Sequence, residues 1–345
     1  MSTTGPTTPE LPPPTPQPPA HGLRWIFIGP HGIRAGWSML IFAAIIVGLA
    51  FGIGVAIHFL VHKRPAAGGP MTPATGLIGE GIQVLVVLVA TFVMSRIERK
   101  SVLAYGYQGQ ARAVRFISGL VWGFIALSVL VLSLWKLGYL DLDGIALGGE
   151  SALRYAAEWG VMFLLVGIFE ESIMRGYMQF TFTRGVGFWW GALVMSFLFG
   201  FGHHNNVGES PIGLVSAGAI GLVFCISLWY TGSLWWAVGF HASWDWAESY
   251  FYGTADSGLI VKGHLFREHA AGPLLWSGGT TGPEGSVLIL PLIVLMALFM
   301  FLWWGRRVRS PFAGAGFRPL RPAAPAPLAT IEAAPVAPPF PVNYP

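Results

Sequence analysis

Between residues 36 and 304 the chain runs again and again for 16 to 24 residues with hardly a charged side chain. Crossing the hydrocarbon core of a bilayer, about 30 Å thick, takes roughly 20 mostly apolar residues in a helix. Eight segments fit, near 36–59, 77–94, 116–134, 159–180, 186–202, 212–229, 234–249 and 287–304. The seventh is the weakest of them, being short and carrying His241, Asp245 and Glu248. Composition agrees, with 54% hydrophobic and 10% charged residues and a mean hydropathy of +0.60. A soluble domain carries about 25% charge, so this chain cannot clothe a water-facing surface. Cys225 stands alone, which excludes a disulfide scaffold. The expected fold class is all-α, a polytopic membrane protein of about eight transmembrane helices.

Eight crossings return both termini to one side, and the basic residues test that count. That side carries Arg24, Arg34, Arg96, Arg99, Lys100, Arg112, Arg115, Arg184 and the Arg306–Arg321 group. The other carries Lys63, Arg64, Lys136, Arg154, Lys262 and Arg267. Positive charge favours the cytoplasmic face, so both termini are expected inside, in the plasma membrane. The net charge of +4 forms no basic stripe on a folded face, and no nucleic-acid partner is expected. Eight prolines in residues 1–22 and ten in 311–345 predict extended or disordered tails. The organisation read from these features is a tail and juxtamembrane segment (1–34), helices 1–3 (35–154), a functional core of helices 4–8 (155–305) and a Pro/Ala-rich tail (306–345).

Ionisable side chains at membrane depth are costly, and they mark function. The fourth segment holds Glu170, Glu171 and Arg175. The fifth ends Phe199-Gly200-Phe201-Gly202-His203-His204, and the seventh holds His241 and Asp245. Glu171 and Arg175 are four apart and pair on one helix face, whereas Glu170 points about 100° away and is left free. A carboxylate desolvated among Phe and Leu acquires the basicity of a general base. His241 and Asp245 are also four apart, so Asp245 either holds the imidazole tautomer or adds an oxygen to the same site. One carboxylate and two imidazoles from three helices can therefore meet in a polar cavity.

The order Glu-Glu-x-x-x-Arg, Phe-x-x-x-His, His-x-x-x-Asp, each on its own apolar helix, resembles the CPBP intramembrane proteases, which include the type II CAAX prenyl endopeptidases. Thr231-Gly232-Ser233-Leu234-Trp235 resembles the family's entry into the His241 helix. The resemblance covers about residues 155–250. It implies an eight-helix fold in which Glu170 activates the hydrolytic water and His203 and His241 complete the site. Glu171 and Arg175 would support them, and Asp245 would stand where many members have Asn. Two imidazoles and a carboxylate also suit zinc, held by His203, His241 and Glu170, and the same groups can act without metal. The expected partners are the lipid bilayer and a peptide substrate, prenylated or not. The Phe199 spacing favours His203 as the functional imidazole, with the adjacent His204 as the alternative.

Two rival readings use the same residues: an ion- or proton-coupled transporter, for which no internal repeat speaks, and a catalytically silent scaffold or immunity protein. Other polar groups read as structural. Glu248 is expected at a solvated rim, Glu284 in a turn before the last helix, and His264–His269 in an outer loop as a surface charge cluster.

Overall fold

The computed structural model describes residues 22–29, 32–60 and 71–315. Most of the two proline-rich tails lies outside the described residues. Of the C-terminal one the described residues include Phe312, whose ring lies 4.8 Å from that of Phe188, and a short turn over Ala313–Ala315; the expectation for residues 316–345 lies outside them.

The eight apolar segments all become helices. We label them α1 (Ala35–Leu60), α2 (Pro73–Ile97), α3 (Arg112–Leu137), α4 (Gly149–Val186), α5 (Phe188–Gly202), α6 (Pro211–Thr231), α7 (Trp235–Asp245, continued by Trp246–Tyr252) and α8 (Ile289–Gly305). Five of them, α1 to α4 and α6, are long and apolar enough to cross a membrane. Their ends are written locally. Thr72 accepts a hydrogen bond from the Thr75 amide ahead of Pro73, and Ser210 does the same for Gly213 ahead of Pro211. Gly138 and Gly232, at φ 76° and 63°, close α3 and α6 in the left-handed conformation.

The weakest of the eight segments is the hub. α7 is buried on nearly every side, packed against α3, α4 and α6, which is why it can be short and carry polar side chains. Small residues let the backbones approach. A methyl group on Gly119 or Gly123 of α3 would collide with the α7 carbonyls of Trp236 or Phe240, and one on Gly239 with the carbonyl of Phe116. That approach fixes α7 in depth and rotation. By contrast, α1 fully buries only Ser38 and Phe42, with Ile41, Ile45 and Ile46 half-buried beside them, and much of its remaining apolar surface is exposed.

The basic loops gather at one end of the bundle. There Arg184 bonds Glu98 at 2.9 and 3.0 Å and Ser38 at 3.2 Å, and Arg115 donates to the Thr231 carbonyl. The opposite end carries a two-stranded antiparallel ribbon, β1 (Leu140–Ile145) and β2 (Phe266–Ala270), in the register Leu140↔Ala270 to Ile145↔Phe266. The segment expected as an outer loop is therefore partly a strand, because pairing with β1 satisfies its backbone. The register sets His269 beside Asp143 and Asp141, at 2.8 and 3.3 Å, all three exposed.

Candidate active site

Glu170 and Glu171 stand at the end of the regular part of α4, immediately before a π-helical turn, Ser172–Met178, in which Gly176 leaves helical geometry (φ −80°, ψ −111°). Such turns widen a helix and are frequent at functional sites. A second one, Trp246–Tyr252, directly follows Asp245.

The fully buried Glu171 binds the equally buried Arg175 at 3.1 Å. The Arg175 guanidinium lies over the rings of Phe199 (4.1 Å) and Phe224 (5.3 Å), and the absence of a side chain at Gly221 leaves it room. The oxygen of Glu171 that binds Arg175 also faces Nδ1 of His241 at 3.1 Å. A carboxylate already paired with arginine can only accept, so Nδ1 carries the proton and Nε2 is presented elsewhere. Nε2 lies 3.6 Å from Oε2 of Glu170 and 3.6 Å from Oδ2 of Asp245. The imidazole is clamped between the rings of Phe224 and Phe199, at 5.5 and 5.9 Å. The residue that orients His241 is thus Glu171 from α4, not Asp245 from its own helix. Helical spacing put Asp245 near the ring, but only the packing of α4 on α7 decides which carboxylate meets which nitrogen.

His203 ends α5. Its Nδ1 bonds the Phe199 carbonyl at 2.8 Å and must donate there, so its Nε2 is also left for other partners. His204 turns away, exposed and stacked on Phe201 at 4.5 Å. Glu170, His203, His241 and Asp245 line a single cavity of about 380 Å³ whose other walls include Met162, Phe163, Phe169, Met174, Ile220 and Phe224. Oε2 of Glu170 is shielded from solvent and has no hydrogen-bond partner. A polar group left unsatisfied in an apolar cavity is costly, and a bound water or substrate relieves it.

Residues 152–247 match the family model described as Type II CAAX prenyl endopeptidase Rce1-like. This segment is a Rce1-like protease domain. No curated protein matches the chain. The Rce1-like domain starts in the first turn of α4 and ends two residues past Asp245, so it holds all six side chains singled out on α4, α5 and α7. This match supports a peptidase, and the long apolar helices suit an integral membrane protein.

Four carboxylates beside the Rce1-like site carried no sequence expectation of a site role: Glu80 of α2, which lines the same cavity, and Glu248, Glu284 and Asp256. Glu248, expected at a rim, is fully buried: it lies seven residues after His241 on the same face of a helix that has no exposed rim. Glu284, expected in a simple turn, reaches back to accept from Trp244 (2.8 Å) and Ser257 (2.7 Å). Asp256, from the loop after α7, accepts from Ser249 at 3.1 Å. The signal for Glu248 was the i+3 and i+7 spacing from Asp245 and His241, while the two loop residues carried none. Glu248, Asp256 and Glu284 bring one donor atom each within 4.8 Å of one another, and among the described residues Glu170, His203 and His241 do not converge so closely.

Proposed function

We propose that the Rce1-like domain hydrolyses a peptide bond of a membrane-associated or lipidated peptide by means of a glutamate-activated water. The observation that carries this reading is the convergence of Glu170, His203, His241 and Asp245 on one cavity, with the unpartnered oxygen of Glu170 3.6 Å from Nε2 of His241. A water held by that oxygen gives up a proton to Glu170 as its own oxygen attacks the scissile carbonyl. With Nδ1 of each ring already donating, to Glu171 or to the Phe199 carbonyl, Nε2 of His241 and of His203 can donate to the developing oxyanion only from the imidazolium form, and this route requires that form. Collapse of the tetrahedral intermediate breaks the C–N bond, and Glu170 returns the proton to the leaving amine.

Glu171 acts through His241. By accepting from Nδ1 it turns Nε2 towards the reacting atoms, and Arg175 holds Glu171 in place. Asp245 lies within 3.6 Å of the same Nε2 and tunes the charge around it. Zinc held by Glu170, His203 and His241 would supply a Lewis acid; the donor atoms of the three do not all lie within 4.8 Å of one another, and no step is assigned to it. The basic end of the bundle would face the cytoplasm, placing both termini there.

Purified protein in detergent, given prenylated and unprenylated peptides with a C-terminal Cys-a-a-X sequence, tests the reading. Cleavage by the wild type that is lost in Glu170→Gln and His203→Ala supports it. Undiminished cleavage by both variants sinks it, and proton uptake without hydrolysis would favour a transporter. Activity that persists with phenanthroline, which captures zinc but not calcium, supports the metal-free route.

A further inference from the structure

Alongside the hydrolytic groups, the cavity is bordered by the second carboxylate cluster. Glu248 comes from the last turns of α7, Asp256 from the loop that follows, and Glu284 from the short turn Pro283–Gly285 before α8. One oxygen of each lies within 4.8 Å of the other two. The second, independent observation is Glu248 itself: it is completely buried, and neither carboxylate oxygen has a hydrogen-bond partner. The Trp244 indole donates to Glu284 rather than to Glu248. No lysine, arginine or histidine forms an ion pair with any of the three among the described residues.

Three carboxylates crowded together without a counter-charge, Glu248 buried and Asp256 and Glu284 half-buried, repel one another when ionised, and each loses hydration on burial. Donors already point at two of them: Ser257 and Trp244 at Glu284, and Ser249 at Asp256. Hydrogen bonds of this kind favour the ionised form. A cation that displaces the protons would relieve this crowding, and its chemistry follows from the ligands. All are oxygens, with no imidazole or thiolate, which suits hard ions bound at roughly 2.0–2.6 Å rather than zinc or copper.

We propose that Glu248, Asp256 and Glu284 bind a divalent hard cation, calcium or magnesium, which ties the loop after α7 and the turn before α8 to the end of α7 and so completes one wall of the cavity. Glu248, Asp256 and Glu284 all lie beyond the end of the Rce1-like match at residue 247. The site is separate from Glu170, His203 and His241, and it holds whether or not the peptidase mechanism is right.

The test uses the full chain, purified in detergent and stripped with EDTA. Calcium chloride and magnesium chloride are titrated separately by calorimetry and by thermal unfolding. The expected result is saturable binding of one ion per chain by at least one of the two, at or below about 1 mM, with a rise of several degrees in the unfolding midpoint. Asp256→Asn and Glu248→Gln should each weaken binding at least about tenfold, and Glu170→Gln should leave it unchanged. Glu248→Gln should also unfold, without ion, no lower than the stripped wild type, because it removes one carboxylate from a crowded acidic cluster. That result separates loss of a ligand from loss of the fold. If Glu248→Gln does not fold, Asp256→Asn decides. Three outcomes would overturn the proposal: no saturable binding of either ion up to about 10 mM, full binding by Asp256→Asn, or binding lost in Glu170→Gln but kept in Asp256→Asn.

Discussion

Glu98 and Glu170 are both carboxylates held among apolar helices, and they differ in how their oxygens are used. Glu98, just past the end of α2, has no free capacity. Oε1 accepts from Tyr177 (2.9 Å) and Arg184 (3.0 Å), and Oε2 accepts from Arg184 (2.9 Å), Tyr105 (3.1 Å) and Lys100 (3.3 Å). Such a carboxylate is an anchor: its bidentate arginine and two phenols tie together α2, α4 and the loop between α2 and α3. Glu170 has an oxygen with no partner, in a cavity, next to an imidazole already aligned by a different carboxylate. Saturation makes the first a structural joint, and the missing partner leaves the second open to a substrate or a water. The lesson is that a buried charge alone does not mark a reactive site. What marks it is hydrogen-bonding capacity left unused where a ligand can reach.

The contrast can be broken from either side. Glu170→Gln should lower kcat by about 10²–10⁴-fold, the range for loss of a general base, with little change in the unfolding midpoint. Peptide cleavage and thermal unfolding of the same preparation read both. Glu98→Ala should do the reverse. It leaves Arg184 without its buried partner and should cost about 3–5 kcal/mol of stability, with activity per folded molecule unchanged. An equal loss of activity in both variants would erase the distinction.

Glu171→Gln lies between the two. It keeps the shape of the acceptor for His241 but loses the charge that holds Arg175. A fall in kcat of about tenfold with a lower midpoint is expected, and KM should move less than kcat because substrate does not touch this residue.

Acid provides a gentler probe. Burial pushes the Glu98 carboxyl up, but the hydrogen bonds and charge of Arg184, helped by Ser38 and Lys100, outweigh it and hold the group at about 2. The folded value lies below the ordinary 4.5, so the stabilisation is fully present above that ordinary value and is lost as pH falls from there towards about 2. Between pH 5 and 2 the wild-type midpoint should fall more steeply than that of Glu98→Gln, and parallel curves would show that the joint carries no linkage. The smallest effect is expected for Asp245→Asn. Asp245 approaches His241 at 3.6 Å without a hydrogen bond, so kcat should stay within about threefold of wild type.

Much of this architecture could be read from residues alone, for identifiable reasons. The apolar runs are long, and the hydrocarbon thickness gives them a ruler, so all eight helices were found. Glu170, His203 and His241 stood out because charge and imidazole are rare in such runs, and i+4 spacing linked Glu171 to Arg175. What failed was whatever depended on neighbours far away in sequence. Glu248 reads as a rim residue because nothing local shows that α7, short and polar, is the helix the others enclose. Glu284 and Asp256 sit in loops whose composition carries no trace of the partners they reach. Phe312 packs on Phe188, a contact its own stretch gives no sign of, and the His264–His269 segment pairs with a strand more than a hundred residues earlier.

The amino-acid order by itself determined that this chain lives in a bilayer, how many apolar helices it has, and which polar side chains are carried into them. These follow from local quantities, the hydropathy of a run and the 100° step of a helix. Only the tertiary structure decided which carboxylate meets which nitrogen of His241, that Glu98 is saturated while Glu170 is not, and that three acids from α7, a loop and a turn converge. Those outcomes depend on the depth and rotation at which α7 packs against α3 and α4, set by glycines whose missing side chains matter only once another backbone lies against them.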